Sequence, residues 1–245
     1  MNYFYKSLLL AGLFLAGCKQ HNYLINQNIS YQNIDSQQPA DSSINAQVSP
    51  YKAQLAAQMN EVVARSEKML EKAQPESTLG NFISDIIAQQ ASSESKLTID
   101  LAFMNYGGLR IGNLPQGEWT KGLIFELLPF DNAIVVVELT GAELNELLDF
   151  IAQKGGLPVS GALRSELKNG KLEKISLNNQ PINPSQIYKI ATIDYLANGG
   201  DNCKVLIGKK RVETSLLLRD AVLNYLKANN QQTQTAKLEG RMRGA

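Results

Sequence analysis

Hydrophobic residues recur at helical spacing once the chain passes Pro50. Tyr51, Leu55, Met59, Val62, Val63, Met69 and Leu70 predict one long amphipathic helix over residues 51–72. A second helix is expected after Pro75, where Leu79, Phe82, Ile83, Ile86 and Ile87 form a stripe at i, i+3, i+4, i+7 and i+8. Residues 97–104 alternate weakly and read as a strand. The block "FELLPFDNAIVVVEL" carries a β-branched run that suits a buried strand. Thr140 with Glu143 three residues on has the form of a capping box, opening a helix with Leu144, Leu147, Leu148 and Ile151 on one face. "NGKLEKISLNNQPI" places turn residues around a short alternating strand, and "IYKIATI" is another strand, followed by "ANGGDN" as a turn or loop. A final helix is expected over 215–227, with Leu218, Ala221, Val222, Tyr225 and Leu226 inward. Helices and strands alternate irregularly, which predicts a mixed α/β (α+β) fold with a single core over residues 51–245.

The beginning of the chain reads differently. Lys6 precedes the apolar run "SLLLAGLFLAG", too short to span a bilayer as a mature helix, and the run ends in Leu15-Ala16-Gly17-Cys18. That ending resembles a bacterial lipobox. Residues 1–17 are then expected to be a lipoprotein signal peptide, with Cys18 the lipidated N-terminus; an ordinary signal peptide with a chance cysteine is the alternative. Residues 18–50 are rich in Gln, Asn and Ser, the composition of a flexible tether. The expected location is the cell envelope, lipid-anchored outside the cytoplasm.

Composition narrows the chemistry. A formal net charge of +1 suggests no nucleic-acid partner. The single histidine, His21, lies in the tether, so neither a histidine-rich metal centre nor a Ser-His-Asp relay is expected of the folded part. An all-carboxylate magnesium site stays open. With Cys18 lipidated, Cys203 would have no disulfide partner.

Three loops carry candidate chemistry, each read as following a strand. In "NYGGLR", Gly107 and Gly108 allow positive φ and close backbone approach, and Arg110 offers a planar fork of donors; a plain turn is the alternative. In Pro129–Asn132, Phe130 beside Asn132 could stack on a flat ring and bond its edge, or Phe130 could enter the core. In Tyr195–Asp201, an aromatic precedes a Gly-Gly turn and a carboxylate that could accept from ligand hydroxyls or cap the turn. Taken together they list what a nucleoside or nucleotide needs: aromatic faces, amides, a carboxylate and a phosphate-compatible arginine.

The segments "STLGNFISDII", "FMNYGGLRIGNLPQGEWT", "FELLPFDNAIVVVELTGAELNELL", "YKIATIDYLANGGDN" and "LEGRM", in this order, resemble the C-terminal substrate-binding domain of the 5′-nucleotidase family. The resemblance covers residues 51–243. It implies a fold of that family and a two-part enzyme, in which a separate calcineurin-like metallophosphatase domain holds two metals and the catalytic residues. Carried over by motif, Phe130 and Tyr195 resemble the base-stacking pair, Asn132 a base contact, and Asp201 the ribose-binding carboxylate. Asn105 and Arg110 resemble the loop, with Gly107 and Gly108, that contacts substrate, while Asn198 and Gly200 belong to the carboxylate loop. The metallophosphatase half is not seen in this sequence, Lys72 stands near where relatives carry an arginine, Tyr195 replaces the usual Phe, and Asn202 the usual Gly.

The expected function is therefore the nucleotide- or nucleoside-binding half of a split phosphohydrolase in nucleotide catabolism. The chain would hold no catalytic residue, no metal and no cofactor of its own. A separate metallophosphatase protein would bring divalent metals. The alternatives are a non-catalytic nucleotide-binding lipoprotein of the envelope and a degenerate structural domain.

Overall fold

The computed structural model describes residues 31, 41–230 and 232–244. The signal segment, Cys18 and most of the expected tether lie outside the described residues. The chain divides into two units, Met1–Gln47 and Val48–Ala245. The described residues of the first are all exposed.

Helix α1 spans Ser42–Met59 and buries none of its residues. It corrects two expectations. The stretch 42–50 is helical rather than tether, because the Asp41 carboxylate accepts from the Ser43 and Ile44 amides and caps the helix. The helix also runs through Pro50 and stops at Met59, well before residue 72. Strand β1 comes next, Val62–Ser66, in which Ala64 and Ser66 are buried and Arg65 is exposed. This period of two is the strand period. The two valines favour it, and Ala64 pairs across from Trp119.

Strand β2, Leu70–Glu71, is short, and α2, Thr78–Ser95, matches the helix expected after Pro75. The Ser77 hydroxyl caps it by accepting from the Gly80 amide at 2.9 Å, and Leu79, Phe82, Ile83, Ile86 and Ile87 all face the core. The strand expected over 97–104 is confined to β3, Leu101–Ala102. Then come β4 (Asn113–Leu114), β5 (Gly117–Thr120) and α3 (Lys121–Leu127), a helix that the apolar pattern did not announce.

Strand β6, Ala133–Thr140, is the centre of the fold. Ile134, Val135, Val136 and Val137 are all buried, so both of its faces are covered. Helix α4, Gly141–Gln153, begins with the capping box expected at Thr140 and Glu143. Strands β7 (Leu163–Lys168) and β8 (Lys171–Leu177) form a hairpin around Asn169 and Gly170, both at positive φ as a tight two-residue turn requires. Strand β9, Ile187–Ile193, leads into the short helix α5, Asp194–Ala197. Strand β10, Arg211–Leu217, takes the first residues of the expected last helix, and α6 starts at Leu218 and ends at Ala228. Strand β11, Arg243–Gly244, adds to β7.

The main sheet has the order β10-β6-β9-β3. Strand β9 lies antiparallel to β6 and parallel to β3. Helices α2 and α4 both pack on β6. The C-terminal segment is fastened by Arg241, whose guanidinium reaches both Asp85 oxygens at 2.8 and 2.6 Å, Glu239 at 2.9 Å and the Val159 carbonyl at 2.8 Å. The fold is mixed α and β, as expected. No helix of the described residues is long and apolar enough to cross a membrane.

Candidate functional site

Strand register determines which loops can meet. Ala102, near the end of β3, sits beside Ala191 on parallel β9, so the two strands end at the same edge of the sheet. Strand β6 runs the other way, and its start, Ile134, lies opposite Ile193 at the end of β9. The loop after β3, the loop after β9 and the loop before β6 therefore converge. The Pro129–Asn132 loop enters a strand rather than leaving one, which corrects the expected layout; α3 precedes it. Strand β10 ends at the same edge, with Leu217 opposite Ala133, and delivers the first turn of α6.

Eight of the ten candidate residues surround one cavity of about 330 Å³: Asn105, Gly107, Gly108, Arg110, Phe130, Asn132, Tyr195 and Asp201. Phe130 and Tyr195 are 47% and 44% exposed, so neither large ring has entered the core. Exposed rings of this size beside a cavity are available for stacking. The Arg110 guanidinium lies 5.6 Å from the Phe130 ring centroid, within cation–π range. Among the described residues its side chain makes one hydrogen bond, a long one of 3.4 Å, to the Gly107 carbonyl.

Of the two uses expected of the glycines in the first loop, positive φ is not taken up. Neither Gly107 nor Gly108 has a positive φ. Tyr106–Gly108 is a single 3-10 turn, and the missing side chains make room instead. A Cβ on Gly108 would lie 2.8 Å from Met104 Cε and 3.1 Å from Asn105 Oδ1, and one on Gly107 would lie 3.3 Å from Asn105 Nδ2. The turn is anchored from behind by Tyr106, whose hydroxyl donates to the Ala73 carbonyl and meets Ser77 Oγ at 3.1 Å. Lys72 Nζ donates to the Leu109 carbonyl at 3.0 Å, on the same loop.

The third loop is more ordered than a plain turn. Helix α5 is followed by a 3-10 turn over Gly200–Asn202, with Gly199, Asp201 and Asn202 at φ of 90, 52 and 66°. Asp and Asn tolerate this left-handed region better than most residues. Asp201 does not merely cap the turn. Its Oδ2 accepts from Asn105 Nδ2 at 2.6 Å and its Oδ1 from the Tyr195 hydroxyl at 2.8 Å. That bond to the carboxylate, more than any other cause, holds the Tyr195 hydroxyl proton above the usual phenol range. Asn105 is 7% exposed, and its Oδ1 is buried without a donor among the described residues.

Two candidates stand outside the lining. Gly200 lies under Tyr195, where a Cβ would come within 2.5 Å of the ring, so it serves as the floor on which the aromatic rests. Asn198 accepts from Arg211 Nη1 at 2.7 Å, which ties the loop to β10. Arg219 was not legible as a site residue. It bonds Asp131 Oδ1 at 2.6 Å and the Leu128 carbonyl at 3.2 Å, and it covers Phe125 at 4.4 Å, fixing the loop that carries Phe130. No local motif marks it, because its partners are 88 and 91 residues away. Cys203 is buried beside Asp201; burial, then the Asp201 charge, pushes its thiol up to about 12, which denies it a nucleophilic role.

A second cavity, of about 360 Å³, lies beside Asp85, Glu239 and Arg241. These three charges are already paired with one another. The chemistry is concentrated at the sheet edge.

Comparison with known proteins bears on the family and the fold. Residues 54–207 match the family model described as 5′-nucleotidase, C-terminal domain. The chain is 26% identical over 185 residues to Protein UshA of Escherichia coli, covering 73% of this chain and 32% of that protein. It is 26% identical over 198 residues to the trifunctional nucleotide phosphoesterase protein YfkN of Bacillus subtilis, covering 73% of this chain and 13% of that one. The crystal structure of a 5′-nucleotidase precursor from Thermus thermophilus superposes with a TM-score of 0.69 and 28% identity, over 84% of this chain and 44% of that one. The chain thus spans less than half the length of each. The match takes in all three converging loops, and the chain belongs to the 5′-nucleotidase C-terminal domain family.

Proposed function

We propose that this chain is the nucleotide- or nucleoside-binding half of a split 5′-nucleotidase-type phosphohydrolase, working with a separate metallophosphatase protein that holds the divalent metals. The observation that supports this reading is the set of groups around the sheet-edge cavity: two exposed aromatic rings, an arginine without an acidic partner among the described residues, two amides and a carboxylate. The names of the relatives, a nucleotide phosphoesterase and a 5′-nucleotidase precursor, point to the same ligand class.

In this reading Phe130 and Tyr195 stack on the base and Asn132 bonds its edge. Asp201 accepts from the sugar, and Arg110 meets the phosphate as a bidentate donor. Stacking and one charged contact give an affinity on the micromolar scale, about −8 kcal/mol. The chain's part is to bind and orient. Hydrolysis would be supplied by the metals of the partner, which lower the pKa of a bound water. The segment from Lys6 to Cys18 supports a lipid-anchored location in the cell envelope.

Calorimetry with adenosine and AMP tests the pocket. AMP should bind more tightly than adenosine, and Arg110→Ala should remove that advantage; equal loss for both ligands would take Arg110 off the phosphate. The purified protein should not hydrolyse AMP with Mn²⁺, and hydrolysis by this chain alone would sink the division of labour. Palmitate labelling that disappears in Cys18→Ser would support the anchor, and labelling that persists would remove it.

A further inference from the structure

The Tyr195 hydroxyl is wholly engaged with Asp201. Its one proton goes to Oδ1 at 2.8 Å, and its oxygen accepts from the Asp201 amide at 3.2 Å. The other carboxylate oxygen takes the Asn105 amide at 2.6 Å. The tyrosine is held in this pose by its seat on Gly200, where even a Cβ would collide with the ring. A carboxylate offers about four lone-pair directions. Here each oxygen has already given one to the protein, from two different loops. A vicinal diol arriving at Asp201 would donate to both oxygens, and on Oδ1 it would meet the phenol.

We infer that the Tyr195 hydroxyl is a self-cap on Asp201 and sets how strongly the pocket discriminates between ligands that carry sugar hydroxyls and ligands that lack them. The inference rests on the nucleoside-pocket reading above. Against a free carboxylate, a diol would form new charge-assisted bonds. Against a capped one, it shares each oxygen with a donor already in place, so the added bonds are weaker and the gain is smaller. The ring still presents its face to the base, so the cap blunts sugar selectivity and leaves stacking alone. Tyr195 is in this respect a specificity-determining residue acting through the carboxylate. The pocket would accept deoxygenated sugars that an aromatic lacking the hydroxyl would help reject.

The test compares the affinities of adenosine and 2′,3′-dideoxyadenosine by calorimetry. The wild-type ratio should be within about threefold, since both carboxylate oxygens are already partly satisfied by the protein. Tyr195→Phe keeps the ring, frees Oδ1, and should widen the ratio to about tenfold or more, the effect of one hydrogen bond to a charged group. In Tyr195→Phe combined with Asp201→Asn the ratio should fall back, because the gained discrimination belongs to the carboxylate. An unchanged ratio in Tyr195→Phe overturns the cap, and so does a wide ratio that survives Asp201→Asn. Binding of neither ligand to wild type would instead remove the nucleoside pocket itself, a different failure with a different signature.

Discussion

Asn105 Nδ2 donates to Asp201 Oδ2 at 2.6 Å, joining loops that are 96 residues apart in the chain. This bond links the loop after β3 to the loop after β9 in the lining of the cavity. Replacing Asn105 with Asp would set two carboxylates against each other, and such pairs share a proton with one pKa strongly raised. Asn105→Asp should therefore weaken adenosine binding about tenfold or more at pH 8, with part of the loss recovered at pH 5. Titrations at both values check it, and a pH-independent loss would point to simple misfolding of the loop.

Gly200 carries a prediction of its own. A methyl there would lie 2.5 Å from Tyr195 Cε1 and Cζ, so Gly200→Ala must displace the ring or the turn. The ring is half exposed and can swing out, which keeps the cost to the fold at about 1 kcal/mol or less. Nucleoside affinity should fall much further. A variant that melts normally yet binds poorly would match this expectation, whereas normal binding would mean that the aromatic needs no floor.

Arg241 is buried and serves both Asp85 and Glu239 as well as two backbone carbonyls. Breaking a fully buried pair costs about 3–5 kcal/mol, but Asp85 is half exposed and keeps its water. Arg241→Met should therefore destabilise by about 2–3 kcal/mol in urea unfolding. Arg241→Lys should not rescue it, since a point charge cannot reproduce the fork.

Glu143 links the capping box of α4 to Lys209. The Lys209 ammonium at 2.5 Å, and then the Thr140 amide and hydroxyl, hold its carboxyl down to about 2 from an ordinary 4.5. A depressed folded-state value means stability that is present above pH 4.5 and is lost as pH falls toward 2. Glu143→Gln should be less stable than wild type by about 1 kcal/mol at pH 7, the usual value of a cap. The difference should close as the pH approaches 2, and denaturant midpoints across that range measure it. A constant gap would show that packing, not charge, is what the glutamate contributes.

Much of the architecture was legible because it is local. The stripe from Leu79 to Ile87 and the Thr140–Glu143 box need only neighbours three or four residues away. The β-branched run 134–137 likewise declares a strand buried on both faces. The failures were also physical. Val62 and Val63 fitted a helical stripe as well as a strand edge, and only the pairing with Gly117–Thr120 decides between them. Gly107 and Gly108 suggested a left-handed turn, but their use depends on where the Asn105 amide lies. Asp41 as a helix cap was hidden in a composition that reads as tether.

The candidate site divides in the same way. Sequence alone determined the residue types: two aromatics, amides, a carboxylate and an arginine in motifs that resemble one family. It also determined that the folded part contains no histidine. Tertiary structure alone decided that the three loops share a sheet edge, that Phe130 stays outside the core, and that Arg219 fixes its loop. It alone decided that Tyr195 and Asn105 close on Asp201. The reason is range. Periodicity and capping act over a turn of helix, whereas the site depends on strand register and on hydrogen bonds between residues far apart in the chain, and an ångström in either would change them.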